Sequence, residues 1–327
     1  MTAPAWRRGV EAPLRVGVSS CLLGNEVRYD GGHKRDAFLT ELLGPHVEWI
    51  PVCPEVEVGL GTPRPAVRLV RAGAGIELRE VQSDRDHTRA MQSFARHRVA
   101  ELAELELCGY VLKKDSPSCG LLRVRVWSSA GRATPERNGR GLFASALADS
   151  LPLLPIEEEG RLHDARLREN FVERLFAFQR LRALFSGRWK LGDLVAFHAA
   201  HKLALLAHEP RAYAALGRLV AQSAELDRAA LRAQYSSEFM TALARPATAA
   251  RHVNALQHAA GYFRKRLDPA SRAELADLIE AYRLGQVPLI VPMTLLRHHV
   301  RALDVAYLAD QVYLDPHPRE LMLRNHV

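Results

Sequence analysis

Leu14-Arg15-Val16-Gly17-Val18-Ser19-Ser20-Cys21-Leu22-Leu23-Gly24 decides the fold class. A short apolar, β-branched run passes into a cysteine and a glycine turn, the form of a strand that ends in a loop. Working outward, the form recurs: the run Val47 to Val52 ends at Cys53-Pro54-Glu55, and Gly109 to Leu112 comes a few residues before Cys119-Gly120. Between these runs, Ala37 to Leu43 reads as a helical stretch and Arg85 to Leu107 as a long amphipathic helix. Strands alternating with helices predict an α/β domain with a mainly parallel sheet and flanking helices. The passage Gly59-Leu60-Gly61-Thr62-Pro63-Arg64-Pro65 reads as a loop, because its prolines remove donors and its glycines favour turns. After Leu153 to Ile156 comes the acidic run Glu157-Glu158-Glu159-Gly160, and from Arg161 onward the pattern is almost wholly helical. The expectation is an α/β domain over 14–157 followed by an all-α domain over 161–327.

Composition narrows the function. The 327 residues suffice for two cores of ordinary size. Near the N-terminus, Trp6-Arg7-Arg8 is followed by no apolar run, and no eighteen-residue apolar stretch occurs anywhere, so the expectation is a cytoplasmic protein with no membrane segment. The net charge of +8 lies entirely in the second half: residues 1–160 hold 21 basic and 21 acidic side chains, residues 161–327 hold 24 and 16. A polyanion is one partner this permits, and ordinary surface solubilisation is the other.

Four cysteines without a secretory signal are not a disulfide framework. Cys21, Cys53 and Cys119 follow the carboxyl ends of three successive strands, and such ends converge at one edge of a parallel sheet, where open α/β folds place ligands. Cys108 has no such loop and reads as a small buried apolar residue. Three thiolates suit zinc or an iron-sulfur cluster, and spacing alone leaves both open, along with three unrelated buried thiols.

Five separated motifs carry a resemblance. Val18-Ser19-Ser20-Cys21-Leu22-Leu23-Gly24, Arg28-Tyr29-Asp30-Gly31, Pro51-Val52-Cys53-Pro54-Glu55, Gly61-Thr62-Pro63-Arg64-Pro65 and Lys114-Asp115-Ser116-Pro117-Ser118-Cys119-Gly120 resemble the thiouracil desulfidase family, TudS, in family order. Ser20 and Asp115 depart from its usual alanine and basic residue. The resemblance implies a 4Fe-4S cluster on Cys21, Cys53 and Cys119 with one iron open, where a thiocarbonyl sulfur is captured while water adds to the ring carbon, a hydrolysis without net redox change. Glu55 and Ser116 ride on the ligand loops and are the expected acid-base pair; Ser118 is an equally close hydroxyl. Asp30, Arg64 and Ser118 are the expected substrate contacts.

In the second half, His198, His201 and Lys202 fall on one helix face at i, i+3 and i+4, and Gly261-Tyr262-Phe263-Arg264-Lys265-Arg266 sets three cations beside two aromatics, a mixture suited to RNA. The region from 189 to 316 resembles the YbgA-type helical domain through Phe197-His198, His201-Lys202, Ala207-His208, Leu216-Gly217-Arg218-Leu219-Val220 and Gly261-Tyr262-Phe263. A desulfidase domain fused to it looks like the enzymes that remove sulfur from 4-thiouridine in transfer RNA. The expected function is thus a tRNA 4-thiouridine desulfidase with tRNA as partner and substrate. Its rivals are a desulfidase of free thiouracil or thionucleosides and a non-catalytic RNA-binding protein with a structural or sensing cluster.

Overall fold

A computed structural model describes residues 14–73, 75–129 and 134–327. The chain forms two compact units, which divide between His163 and Asp164.

The N-terminal unit holds two four-stranded sheets. The first has the order β2-β1-β5-β8, with β1 at Leu14–Ser19, β2 at Val47–Val52, β5 at Gly109–Leu112 and β8 at Ile156–Glu158. All three of its pairings are parallel. Every residue of β1 except Arg15 is buried, and all four of β5 are, as expected of central strands covered on both faces. Gly17 is required here, because a Cβ would fall 2.1 Å from Cδ2 of Tyr110 on the neighbouring strand. The long helix, α1, spans Thr88–Glu104 and buries Met91, Ala95, Val99 and Leu102, one helical stripe. It is shorter than expected: Asp86 Oδ1 accepts from the Thr88 amide at 2.8 Å at its start, and Glu106 takes a left-handed conformation (φ 56°) beyond its end.

The second sheet was not anticipated. Its order is β4-β3-β6-β7, with β3 at Val67–Ala72, β4 at Gly75–Glu80, β6 at Val124–Ser128 and β7 at Glu136–Gly139. It is mixed: β3 and β6 run parallel, while β4 and β7 are antiparallel to their neighbours. Leu69, Leu78, Met91, Val124 and Val126 form its buried cluster. A short helix, α2 at Leu142–Ser150, packs beside α1.

The C-terminal unit is helical: α3 at Ala165–Leu184, α4 at Leu191–His208, α5 at Pro210–Ala221, α6 at Arg228–Leu243, α7 at Ala249–Gly261, α8 at Pro269–Arg283, α9 at Ile290–Ala302 and α10 at Ala306–Ala309. Asp164 begins it, its carboxylate accepting from the amides of Arg166 and Leu167 at 3.0 Å each. Its core runs from Leu203 through Leu256 and Phe263 to Tyr313. Charges are buried beside that core: Arg324 Nε donates to Glu169 at 2.9 Å, and His208 Nε2 lies 3.2 Å from Glu173. No helix among the described residues is long and apolar enough to cross a membrane.

Candidate active site

The strand ends of the parallel sheet bound a cavity of about 470 Å³. Cys21 enters it from the 3-10 turn Ser20–Leu23 after β1, Cys53 from the end of β2, and Cys119 from the loop after β5. Cys108 lies outside it, buried, with its amide bonded to the carbonyl of Arg15. Burial pushes the Cys21 thiol up to about 11, against the pull of Lys113, and Cys53 adds to the rise. Burial also raises Cys53 and, far more, Cys119, whose neighbours include both other thiols. Three neighbouring thiolates in such a cavity need positive charge among them, which is the donor set of a soft metal or an iron-sulfur group. The residues therefore fit the cluster in kind and in room. Among the described residues no three His, Cys, Asp or Glu side chains already stand at metal-binding spacing.

Glu55 is the carboxylate of this cavity with the most defined setting. Arg64, with its side chain 3% exposed, donates to Glu55 Oε2 from Nη2 at 2.6 Å and from Nε at 3.1 Å. Its Nη1 donates to the carbonyls of Val27 and Gly61 at 2.9 and 2.8 Å. The other carboxylate oxygen, Oε1, accepts from Ser118 Oγ at 2.9 Å and has Ser116 Oγ at 3.5 Å. Ser116 Oγ in turn accepts from the amides of Ser118 and Cys119 at 3.2 and 3.0 Å. Two hydroxyls thus tie the carboxylate to the Cys119 loop.

These placements reassign three expected substrate contacts. Ser118 is wholly buried and does not line the cavity, whereas Ser116 does. Arg64 lines it, but its donors are engaged with Glu55 and two carbonyls, so it positions the carboxylate. Asp30 lies outside, with its carboxylate bonded to Arg28 and to the amide of Gly32; Arg28 is the residue that reaches the cavity.

The acidic run at 157–159 carries a role that sequence reading missed. All three glutamates are buried. Glu158 Oε1 accepts from the amides of Leu121 and Leu122 at 2.7 and 3.1 Å, just past Cys119. Glu159 takes the Lys113 ammonium at 2.5 Å and the Lys114 amide at 2.7 Å. The run clamps both ends of the Cys119 loop. The run forms the end of the last parallel strand, β8, and the residue after it, and the apolar lead Leu153 to Ile156 was the available signal.

In the helical unit the expected RNA-facing histidines are displaced. His198 and His201 are 3% and 1% exposed, set among Phe197, Tyr235 and Phe239. Burial lowers His198 to about 4, helped by Lys202, so it is neutral at physiological pH. Lys202 is only partly buried, and Arg264, Lys265 and Arg266 are exposed. Phe263 is a core residue, while Tyr262 is exposed and stacked on Tyr307 with centroids 4.8 Å apart.

Comparison with known proteins adds the following. Residues 16–159 match the family described as 2-thiouracil desulfurase, and residues 202–318 match a family described as a protein of unknown function, DUF1722. The uncharacterized protein YbgA of Escherichia coli (strain K12) is 34% identical over 163 residues, 49% of this chain and 95% of YbgA. The uncharacterized protein YbbK of Bacillus subtilis (strain 168) is 31% identical over 136 residues, 40% of this chain and 87% of YbbK. Among solved structures, a 4Fe-4S-dependent thiouracil desulfidase, TudS, is 29% identical with a TM-score of 0.39, covering 49% of this chain and 99% of its own.

Proposed function

The chain belongs to the 2-thiouracil desulfurase family through residues 16–159 and carries a YbgA-type helical region, and from that premise we propose that it removes sulfur from 4-thiouridine in tRNA. The observation that carries the reading is the convergence of Cys21, Cys53 and Cys119 on one cavity beside the Glu55–Arg64 pair. In this reading Cys21, Cys53 and Cys119 would hold a 4Fe-4S cluster, which would supply a soft Lewis acid for the thiocarbonyl sulfur.

The chain's own residues manage water and protons. Arg64 fixes Glu55 Oε2, so Oε1 faces the two serine hydroxyls and can take a proton from water attacking the thiolated carbon. Ser116, which lines the cavity, passes a proton between Glu55 and the ring, and buried Ser118 holds Oε1 in register. The carbon–sulfur bond is replaced by a carbon–oxygen bond, water supplies oxygen and two protons, and sulfur leaves as hydrogen sulfide. Lys34, Lys114 and Arg125 also line the cavity and have no carboxylate partner among the described residues, which favours a phosphate-bearing substrate over a free base.

The deciding experiment is anaerobic incubation of cluster-reconstituted protein with thiolated tRNA and, separately, with free thiouracil, followed by nucleoside analysis and sulfide measurement. Conversion of 4-thiouridine to uridine in tRNA with release of sulfide is the expected result. Turnover of free thiouracil alone would make the substrate a free base, and no turnover by cluster-loaded protein would leave the cluster a structural role.

A further inference from the structure

A second cavity, of about 320 Å³, lies wholly within the helical unit, between α9 and the C-terminal segment. Arg297, Arg301, Arg319 and Arg324 line it with His317, and Asp315 is the carboxylate in its wall. Asp315 is shared: Arg297 Nη1 reaches it at 2.7 Å, and Arg319 does so through Nε and Nη2 at 2.8 and 2.7 Å. Arg324 is held from beneath by Glu169 at 2.9 Å, and Arg301 has no acidic partner among the described residues. Arg324 Nη2 also faces Glu173 at 3.7 Å, so four guanidinium groups meet three carboxylates.

Two nitrogens of the lining, Nη2 of Arg324 and Nε2 of His317, are buried beyond hydrogen-bond distance of any acceptor and face the carboxylates of Glu173 and Glu169 at 3.7 and 3.8 Å. Both side chains are 5% exposed. These contacts anchor Arg324 and His317 as the floor of the cavity, which leaves Arg301 and the unengaged Nη1 of Arg319 as the donors open to a ligand. The guanidiniums crowd one another: burial lowers Arg297, and Arg319 and Arg324 lower it further against the pull of Asp315. Forked, permanently charged donors converging from several segments match the oxygens of a tetrahedral dianion or a phosphodiester better than a carboxylate, which needs one fork.

We propose that this cavity is a phosphate-binding site of the helical unit, with Arg301 and Arg319 as its accessible donors and Arg297 and Arg324 as its fixed floor. It is independent of the catalytic cavity and of the reading given to that cavity. The phosphate could belong to a polynucleotide backbone or to a small free phosphate ester, and the two sources are separable.

The test uses the full chain. Inorganic phosphate is titrated calorimetrically into wild type, Arg301→Gln and the double variant Arg301→Gln/Arg319→Gln, with circular dichroism confirming the fold. Wild type should bind phosphate; loss of one charge-assisted contact should weaken binding by about tenfold, and loss of two by more. Arg301 is exposed and unpaired, so its single variant remains informative should the Arg319 change disturb Asp315. Binding of tRNA to the same variants is then measured by fluorescence anisotropy. Parallel loss of phosphate and tRNA affinity assigns the site to a backbone phosphate; loss of inorganic phosphate binding with unchanged tRNA affinity assigns it to a small phosphate ester. Absence of phosphate binding by wild type, or equal binding by Arg301→Gln and wild type, would overturn the proposal.

Discussion

Replacing Arg64 with Met removes one partner of a nearly closed ion pair, and the structure sets the size of the effect. The Arg64 side chain is 3% exposed and that of Glu55 13%. Breaking a buried pair by removing one partner costs about 3–5 kcal/mol, because the other charge stays buried. The carbonyls of Val27 and Gly61 lose their donor as well, at about 1 kcal/mol each where water does not reach them. Against this, Glu55 keeps the Ser118 hydroxyl and borders a cavity that water can enter, which pulls the total back toward about 3–5 kcal/mol. The same logic predicts non-additivity. Glu55→Gln/Arg64→Met contains no stranded charge, so it should be more stable than Arg64→Met alone by about 1–2 kcal/mol. Urea unfolding of the cluster-free full chain, followed by tryptophan fluorescence, reads this, since Trp49 and Trp127 lie in the affected unit. A cost below about 1 kcal/mol for Arg64→Met, or a double variant that is simply additive, would refute the view of Arg64 as the clamp on Glu55.

Cys21→Ser, Cys53→Ser and Cys119→Ser should each lose the cluster's visible absorption, whereas Cys108→Ser should retain it; cluster loss in the last would remove the assignment. Glu55→Ala should keep the cluster and lose turnover by about 100-fold or more, as measured by sulfide release. Gly141→Ala should deplete the cluster without abolishing secondary structure, because the new Cβ would lie 2.4 Å from the carbonyl oxygen of Ser118 and 2.9 Å from the amide nitrogen of Cys119; an unchanged iron content would show that the loop has room to move. Replacing Arg264, Lys265 and Arg266 together with alanine should lower the salt dependence of tRNA binding by a logarithmic slope of up to about 2–3, and an unchanged slope would place the RNA contacts elsewhere.

Much of the site was legible because a parallel sheet imposes its own geometry. Leu14–Ser19, Val47–Val52 and Gly109–Leu112 are short, apolar and bounded by turn residues, so both their extent and the convergence of their carboxyl ends could be read without any contact being known. The second sheet was harder to see. Glu136–Gly139, with its sequence Glu-Arg-Asn-Gly, has almost no apolar signal, and its three leading residues are exposed, so periodicity had nothing to register.

The remaining differences share one cause, namely polar residues whose burial depends on partners distant in sequence. In the sequence Glu158 and Glu159 mark only the domain boundary, yet their partners are the amides of Leu121, Leu122 and Lys114 and the ammonium of Lys113, some 36–46 positions earlier. His198 and His201 share a helix face with Lys202, as spacing required, but only packing against Tyr235 and Phe239 on α6 decides that this face turns inward. Asp30 and Arg64 were assigned in the same manner and turn out to grip Arg28 and Glu55. A charged side chain next to a reactive loop is as often the support of a functional group as the group itself, and a local motif does not distinguish the two roles. What separates them is saturation: the carboxylate of Asp30 is taken up by Arg28 and Gly32, and the guanidinium of Arg64 by Glu55, Val27 and Gly61, whereas Ser116 lines the cavity with its proton held only loosely, by Glu55 at 3.5 Å.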